Sequence, residues 1–271
     1  MTAAFGASTF PFVWRATALD ALRQMLDLGL NGFDVILAPG HCWPAELSTS
    51  ARSELARTLD EDGIRVDSLN FPALDLNLAS PITEVRRYAV ELYGDAILLA
   101  AELGARAVVA VPGRVSALNQ PPREESERRL VESVEALLAH ADEADQLLCL
   151  ELHPRTPIPT VDTLERFVGA LDHPRLRVAY DVANAEAVGE DHVGALRLLA
   201  PRLGQVHLSD GSRTRWAHDR IGRGTVGFPA VLQTLDEIGF DGARVLEIVS
   251  ATPLEDLRAS LDALERWSAQ L

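Results

Sequence analysis

Leu148-Cys149-Leu150-Glu151-Leu152-His153-Pro154 is an apolar run of strand length that ends in a glutamate and a histidine. A charge inside such a run is expensive to bury unless it is paired or coordinated. The same construction recurs three times downstream, in Val178-Ala179-Tyr180-Asp181, Val206-His207-Leu208-Ser209-Asp210 and Val245-Leu246-Glu247-Ile248. One such residue is unremarkable, because a salt bridge or a helix cap explains it. Four at the same end of consecutive strands converge on one point.

Outward from these segments the chain keeps a single rhythm: a short apolar run, a loop, then an amphipathic stretch of helical period. The apolar runs cover 5–9, 32–37, 64–70, 105–111, 146–152, 177–182, 203–208 and 243–249. Helical stretches are expected at 17–28, 50–62, 83–103, 123–144, 160–171, 191–199, 228–238 and 253–270. Ser50 and Thr160 sit where helix starts want a capping hydroxyl. Gly29, Gly63, Gly104 and Gly239 follow helical stretches, where a left-handed terminating residue is wanted. Eight β-then-α units in 271 residues match an α/β chain folded as a single (β/α)8 barrel domain over 1–271. The competing doubly wound sheet usually carries a Gly-rich turn after its first strand. Here the first strand runs into Thr9-Phe10-Pro11-Phe12, and no GxGxxG follows any strand.

Composition removes several classes of function. All 25 basic residues are arginine, so mechanisms built on a lysine Schiff base or a P-loop lysine are excluded. The 40 acidic residues bring the formal charge to −15, which repels nucleic-acid backbones and anionic lipid. Cys42 and Cys149 lie far apart and form no metal-ligand spacing, as expected for free thiols in a reducing cytoplasm. Residues 1–14 lack the basic start of a signal peptide, and 96–111, the longest apolar candidate, is broken by Glu102, Gly104 and Arg106. A cytoplasmic protein without nucleic-acid or membrane partners is expected.

In a (β/α)8 barrel, groups at the C-terminal strand ends point into the mouth. Glu151, Asp181, His207 and Glu247 would therefore meet there, and three carboxylates packed together need a cation. Three carboxylates and one imidazole form a hard, oxygen-rich set for one divalent ion. Mn²⁺ suits it first, with Mg²⁺, Co²⁺ or Zn²⁺ as alternatives. An octahedral ion would keep two positions for a carbonyl oxygen and its neighbouring hydroxyl.

The order Glu151, Asp181, His207, Glu247, the run His207-x-x-Asp210-x-x-Arg213 and the turn Ile221-Gly222-Arg223-Gly224 before Phe228 resemble the xylose-isomerase-like sugar isomerase and epimerase barrels. Relatives of that kind include ketose 3-epimerases, inosose dehydratases and endonuclease IV. The resemblance implies that the four residues bind one metal and that Glu151 and Glu247 also exchange a proton with a small carbohydrate. It further implies that Arg213 holds substrate oxygens, that His218 contacts substrate from a loop over the mouth, and that the chain forms homo-oligomers. The physical logic agrees. A chelated hydroxy-ketone has an acidic C–H beside its carbonyl, and a carboxylate on each face can remove and return that proton.

Other residues support this site less specifically. Asn184 stands where relatives often carry a histidine; it can bond a hydroxyl but is a poor metal ligand. Thr156-Pro157 replaces a glutamate common in ketose 3-epimerases. His153 shares a strand face with Glu151 and either meets the substrate or shapes the turn before Pro154. Asp210 is expected to orient His207 or Arg213. His41 and Trp43 are candidates for the rim or for packing, whereas His140, His173 and His192 read as surface residues.

Dehydration of a keto-cyclitol would use the same metal and the same proton abstraction. An endonuclease of the related type needs three metals, but Val111, Asn184 and Trp216 occupy three of its ligand positions. A barrel that only binds a ligand has no reason to keep four converging metal-binding groups.

Overall fold

A computed structural model describes residues 5–72, 75–116 and 118–270. In chain order its strands are β1 (Gly6–Ser8), β2 (Gly32–Ile36), β3 (Arg65–Asn70), β4 (Ala107–Ala110), β5 (Leu147–Glu151), β6 (Leu176–Asp181), β7 (Leu203–Leu208), β8 (Asp210–Ser212), β9 (Arg215–Asp219) and β10 (Ala243–Leu246). The α-helices are α1 (Ala18–Leu26), α2 (Thr49–Glu61), α3 (Thr83–Glu102), α4 (Arg123–Glu143), α5 (Val161–Leu171), α6 (Val182–Val188), α7 (His192–Leu199), α8 (Phe228–Glu237) and α9 (Pro253–Ser268). Strands β1 to β7 and β10 pair in parallel and close into a ring, with β1 hydrogen-bonded to both β2 and β10. This is the expected (β/α)8 barrel.

Most positions of the apolar runs are buried on both faces, as a barrel covered by helices requires. The outward faces meet helix stripes such as Leu22 and Met25 on α1, Leu137 on α4, Leu164 on α5 and Leu257 and Leu264 on α9, all fully buried. Each such side chain contributes roughly 1.5–3 kcal/mol by leaving water. Most helix signals act as expected, but Ser48 rather than Ser50 caps α2, its hydroxyl accepting from the Ala51 backbone N–H. Thr160 and Thr163 form a reciprocal capping box, and all four terminating glycines have φ between 66° and 81°.

The inward face is polar at one end and small at the other. Register places Ser8 beside Asp34, Asp34 beside Ser68, and Asp181 beside His207. Below them Ala107, Val109, Cys149 and Ala179 form a separate buried cluster. Polar interior groups are thus concentrated toward the C-terminal strand ends.

Three local features differ from the sequence reading. Residues 210–219 form an antiparallel hairpin, β8–β9, rather than an irregular loop. Asp181 ends β6 and at once caps α6, its Oδ1 accepting from the Asn184 backbone N–H at 2.7 Å. His192 is not a plain surface residue: its Nδ1 meets the Tyr180 hydroxyl at 2.8 Å and its Nε2 meets Glu186 at 3.1 Å. His41 is buried against the Ala16 carbonyl and Thr9, and Trp43 packs edge-on against Phe71, so both are packing residues. No described helix is long and apolar enough to cross a membrane.

Candidate metal centre and active site

The last inward position of β5, β6 and β7, and the first residue after β10, carry Glu151, Asp181, His207 and Glu247. All four are buried, and one ligand atom from each lies within 4.8 Å of the others. His207 Nδ1 is 3.0 Å from Glu151, 3.3 Å from Glu247 and 3.9 Å from Asp181. On its other side Nε2 meets the Gln205 side-chain amide at 2.8 Å. That amide can donate to Nε2 or, turned over, accept from it, so either tautomer of the ring can be held.

The donor set fits a divalent cation. Asp181 spends Oδ1 on the α6 cap, and its buried Oδ2 has no hydrogen-bond partner. A buried carboxylate oxygen facing two more carboxylates without a donor is what a cation corrects. Burial, followed by repulsion from Glu247 and Glu151, pushes Asp181 up to about 7 against the pull of His218. Burial also raises Glu151. Glu247 is driven down to about 2 because His207 and His218 outweigh its burial. Burial opposes a charged His207, yet Glu247 and Glu151 hold it well above the ordinary histidine value.

His218 stands on β9 rather than on a free loop. Its Nδ1 lies 3.5 Å from Glu247, 3.6 Å from Asp181 and 3.1 Å from the Ser209 hydroxyl. Burial lowers its pKa, but Asp181 and Glu247 reverse the shift and raise it. His218, unlike Arg213, therefore stands within reach of the carboxylates. Arg213 is exposed at the hairpin turn, donates to the Gly189 carbonyl at 3.3 Å and does not line the mouth.

A cavity of about 300 Å³ opens over the cluster and is lined by Glu151 and Glu247 together with Asn70, His153, Asn184 and His218. His153 is buried, and its Nδ1 accepts from the Arg155 backbone N–H at 3.2 Å, which puts the ring proton on Nε2. Burial and the nearby positive charge of His218 pull it down to about 4, so it is a neutral donor. Asn184 Oδ1 accepts from the Trp216 indole at 2.7 Å, leaving its amide nitrogen as the donor on that wall. Trp216 also meets His153 edge-on, and Arg155 lies over its ring at 5.1 Å. Asp210, expected to orient His207 or Arg213, contacts neither. It accepts from the backbone N–H groups of Gly211, Gly222 and Val226 and ties the hairpin to the 221–227 loop.

The sequence reading missed a second polar layer. Asp34 is fully buried in β2, accepting from Ser68 at 2.5 Å, Ser8 at 3.1 Å and Asn70 at 3.2 Å. Its signal was present: a charge between Phe33 and Val35 has the same burial cost that singled out Glu151.

A family model described as xylose isomerase-like TIM barrel matches residues 22–267. An uncharacterized protein of Methanocaldococcus jannaschii is 29% identical over 188 residues, 66% of this chain and 63% of that protein, so the match spans less than two thirds of the relative. The L-ribulose-5-phosphate 3-epimerase UlaE of Escherichia coli K12 is 24% identical over 221 residues, 81% of this chain and 77% of that enzyme. A crystal structure described as a D-tagatose 3-epimerase-like protein superposes with a TM-score of 0.86 at 23% identity. It covers 98% of this chain and 97% of that one, which shows the shared fold.

Proposed function

The chain belongs to the xylose isomerase-like TIM barrel family, and from that premise we propose that it is a divalent-metal-dependent epimerase or isomerase of a small sugar or keto-sugar. The observation that carries this reading is the buried cluster of Glu151, Asp181, His207 and Glu247 with its orphaned Asp181 oxygen, set beneath a sugar-sized cavity. The epimerase names of its relatives point the same way.

Glu151, Asp181, His207 and Glu247 would hold one divalent ion, Mn²⁺ first. When bound, the ion supplies Lewis acidity that polarises a carbonyl and acidifies the C–H beside it. Of the three carboxylates, Glu151 and Glu247 alone also line the cavity. They are the pair placed to take a proton from one face of the hydroxyl-bearing carbon and return one to the other. His153 Nε2–H and the Asn184 amide offer neutral donors to substrate hydroxyls, and Trp216 shields that wall. Val111, Asn184 and Trp216 line the mouth where a three-metal nuclease would need ligands, which favours the mononuclear reading.

The test combines metal analysis with isotope exchange. Purified protein should hold about one divalent ion per chain after reconstitution. It should exchange the C–H beside the carbonyl of D-tagatose, D-psicose or L-ribulose with D₂O, without loss of water. Glu151→Gln and Glu247→Gln should each lower kcat by roughly 10²–10⁴-fold. Full turnover in both variants, or three ions per chain, would overturn the reading, and a product lighter by one water would make the enzyme a dehydratase instead.

A further inference from the structure

Asn70, the last residue of β3, is not a member of the metal cluster, yet it joins that cluster to the polar layer beneath. Its Nδ2 lies 3.2 Å from Asp34 Oδ2 and 3.2 Å from Glu247 Oε1. An amide nitrogen has two hydrogens, and here each has its own carboxylate. Turning the amide over would press its oxygen against both carboxylates at those distances, so one orientation survives. Asp34 is itself locked by the Ser8 and Ser68 hydroxyls on β1 and β3.

With the nitrogen so committed, Oδ1 points away from both carboxylates. It is buried, no protein donor reaches it, and Asn70 borders the cavity that Glu151, His153 and His218 share. Asn70 as a whole is 2% exposed. An acceptor left unmatched at such depth carries a desolvation cost that a ligand's donor removes.

Building on the sugar reading above, we propose that Asn70 determines substrate specificity, its Oδ1 accepting a hydrogen bond from one hydroxyl of the bound sugar. An amide oxygen fixed in this way has no donor to offer. It selects a carbon bearing a neutral hydroxyl and rejects a carboxylate, a phosphate oxygen or a keto oxygen at that position. His153 and Asn184 present donors to the cavity, so the two sides of the site read hydroxyls with opposite polarity.

The probes are D-tagatose, D-psicose and L-ribulose, with the single-deoxy forms of whichever is turned over by the Mn²⁺-loaded full chain. Both kcat/KM and binding by calorimetry are measured. In the wild type, removing one particular hydroxyl should lower kcat/KM on the order of 10- to 100-fold. In Asn70→Ala, assayed at saturating Mn²⁺, that ratio should fall to within about 3-fold, while the ratios at other hydroxyls stay at wild-type values. Asn70→Thr keeps a donor for Asp34 but removes Oδ1, and it carries the same expectation if Asn70→Ala does not fold. Unchanged selectivity in a folded variant overturns the assignment, as does an equal loss on the parent sugar and every deoxy form. A wild type that neither binds nor turns over any of the three ketoses overturns the functional reading itself and this inference with it, a failure recognisable because no substitution is involved.

Discussion

At the scale of single residues, Asp34 links acidity to stability without being a candidate ligand. Burial pushes its carboxyl from the ordinary 3.8 up to about 6, against the pull of His207. Between those values the folded chain keeps a proton that the unfolded chain has already lost, so stability drains away as pH rises through the window. Asp34→Asn cannot ionise. Measured in chelator, its stability relative to wild type should improve by up to about 3 kcal/mol from about pH 4 to about pH 7. Urea titrations at the two pH values check this, and parallel curves would sink it. A second pair of substitutions separates direct from indirect roles at the cluster. Gln205→Leu removes the amide that meets His207 Nε2 and should weaken Mn²⁺ binding roughly 10–100-fold. His207→Ala should weaken it further, and competition against a chelating dye ranks the two. Wild-type affinity in His207→Ala would remove that residue from the ligand set.

Among the elements, the β8–β9 hairpin is the one that sequence periodicity did not reveal. Its ten residues have no apolar alternation, and its conformation depends on Asp210 satisfying backbone N–H groups at Gly222 and Val226, far along the chain. Asp210→Ala should cost about 1–3 kcal/mol through those unmatched donors. It should also speed hydrogen exchange across 211–226 and raise KM, because Trp216 and His218 ride on the hairpin, while the metal content is retained. Lost metal with unchanged exchange would mean that Asp210 belongs to the centre instead. The barrel strands were legible because each is an apolar run bounded by turn residues, and helix ends fell within a few residues of their capping signals. Glu151, Asp181, His207 and Glu247 were legible because ionisable groups stand out in such runs. Asp34 carried the same signal, but Ser68, Asn70 and Gln205 did not, because a serine or amide in a strand looks alike whether it faces the barrel axis or water. Only closure of the ring decides that. Arg213, named for its spacing from His207, stands exposed at the hairpin turn and donates to the Gly189 carbonyl.

For the whole molecule, a cation that binds only the folded chain must stabilise it. At a free concentration about 100 times the Kd the gain is about 2.7 kcal/mol, which for a chain of this size raises Tm by roughly 5–10 °C. Calorimetric scans with Mn²⁺ and with excess chelator measure it, and coincident transitions would argue against a resident ion. The ring itself has a seam, where Gly6 and Ala7 of β1 meet Val245 and Leu246 of β10. The Ser8–Asp34–Asn70–Glu247 network crosses it. During synthesis the ribosome releases Glu151, Asp181 and His207 well before Glu247, and Asn70 waits for its partner through most of translation. A nascent chain therefore presents an incomplete set of these four side chains until Glu247 is added.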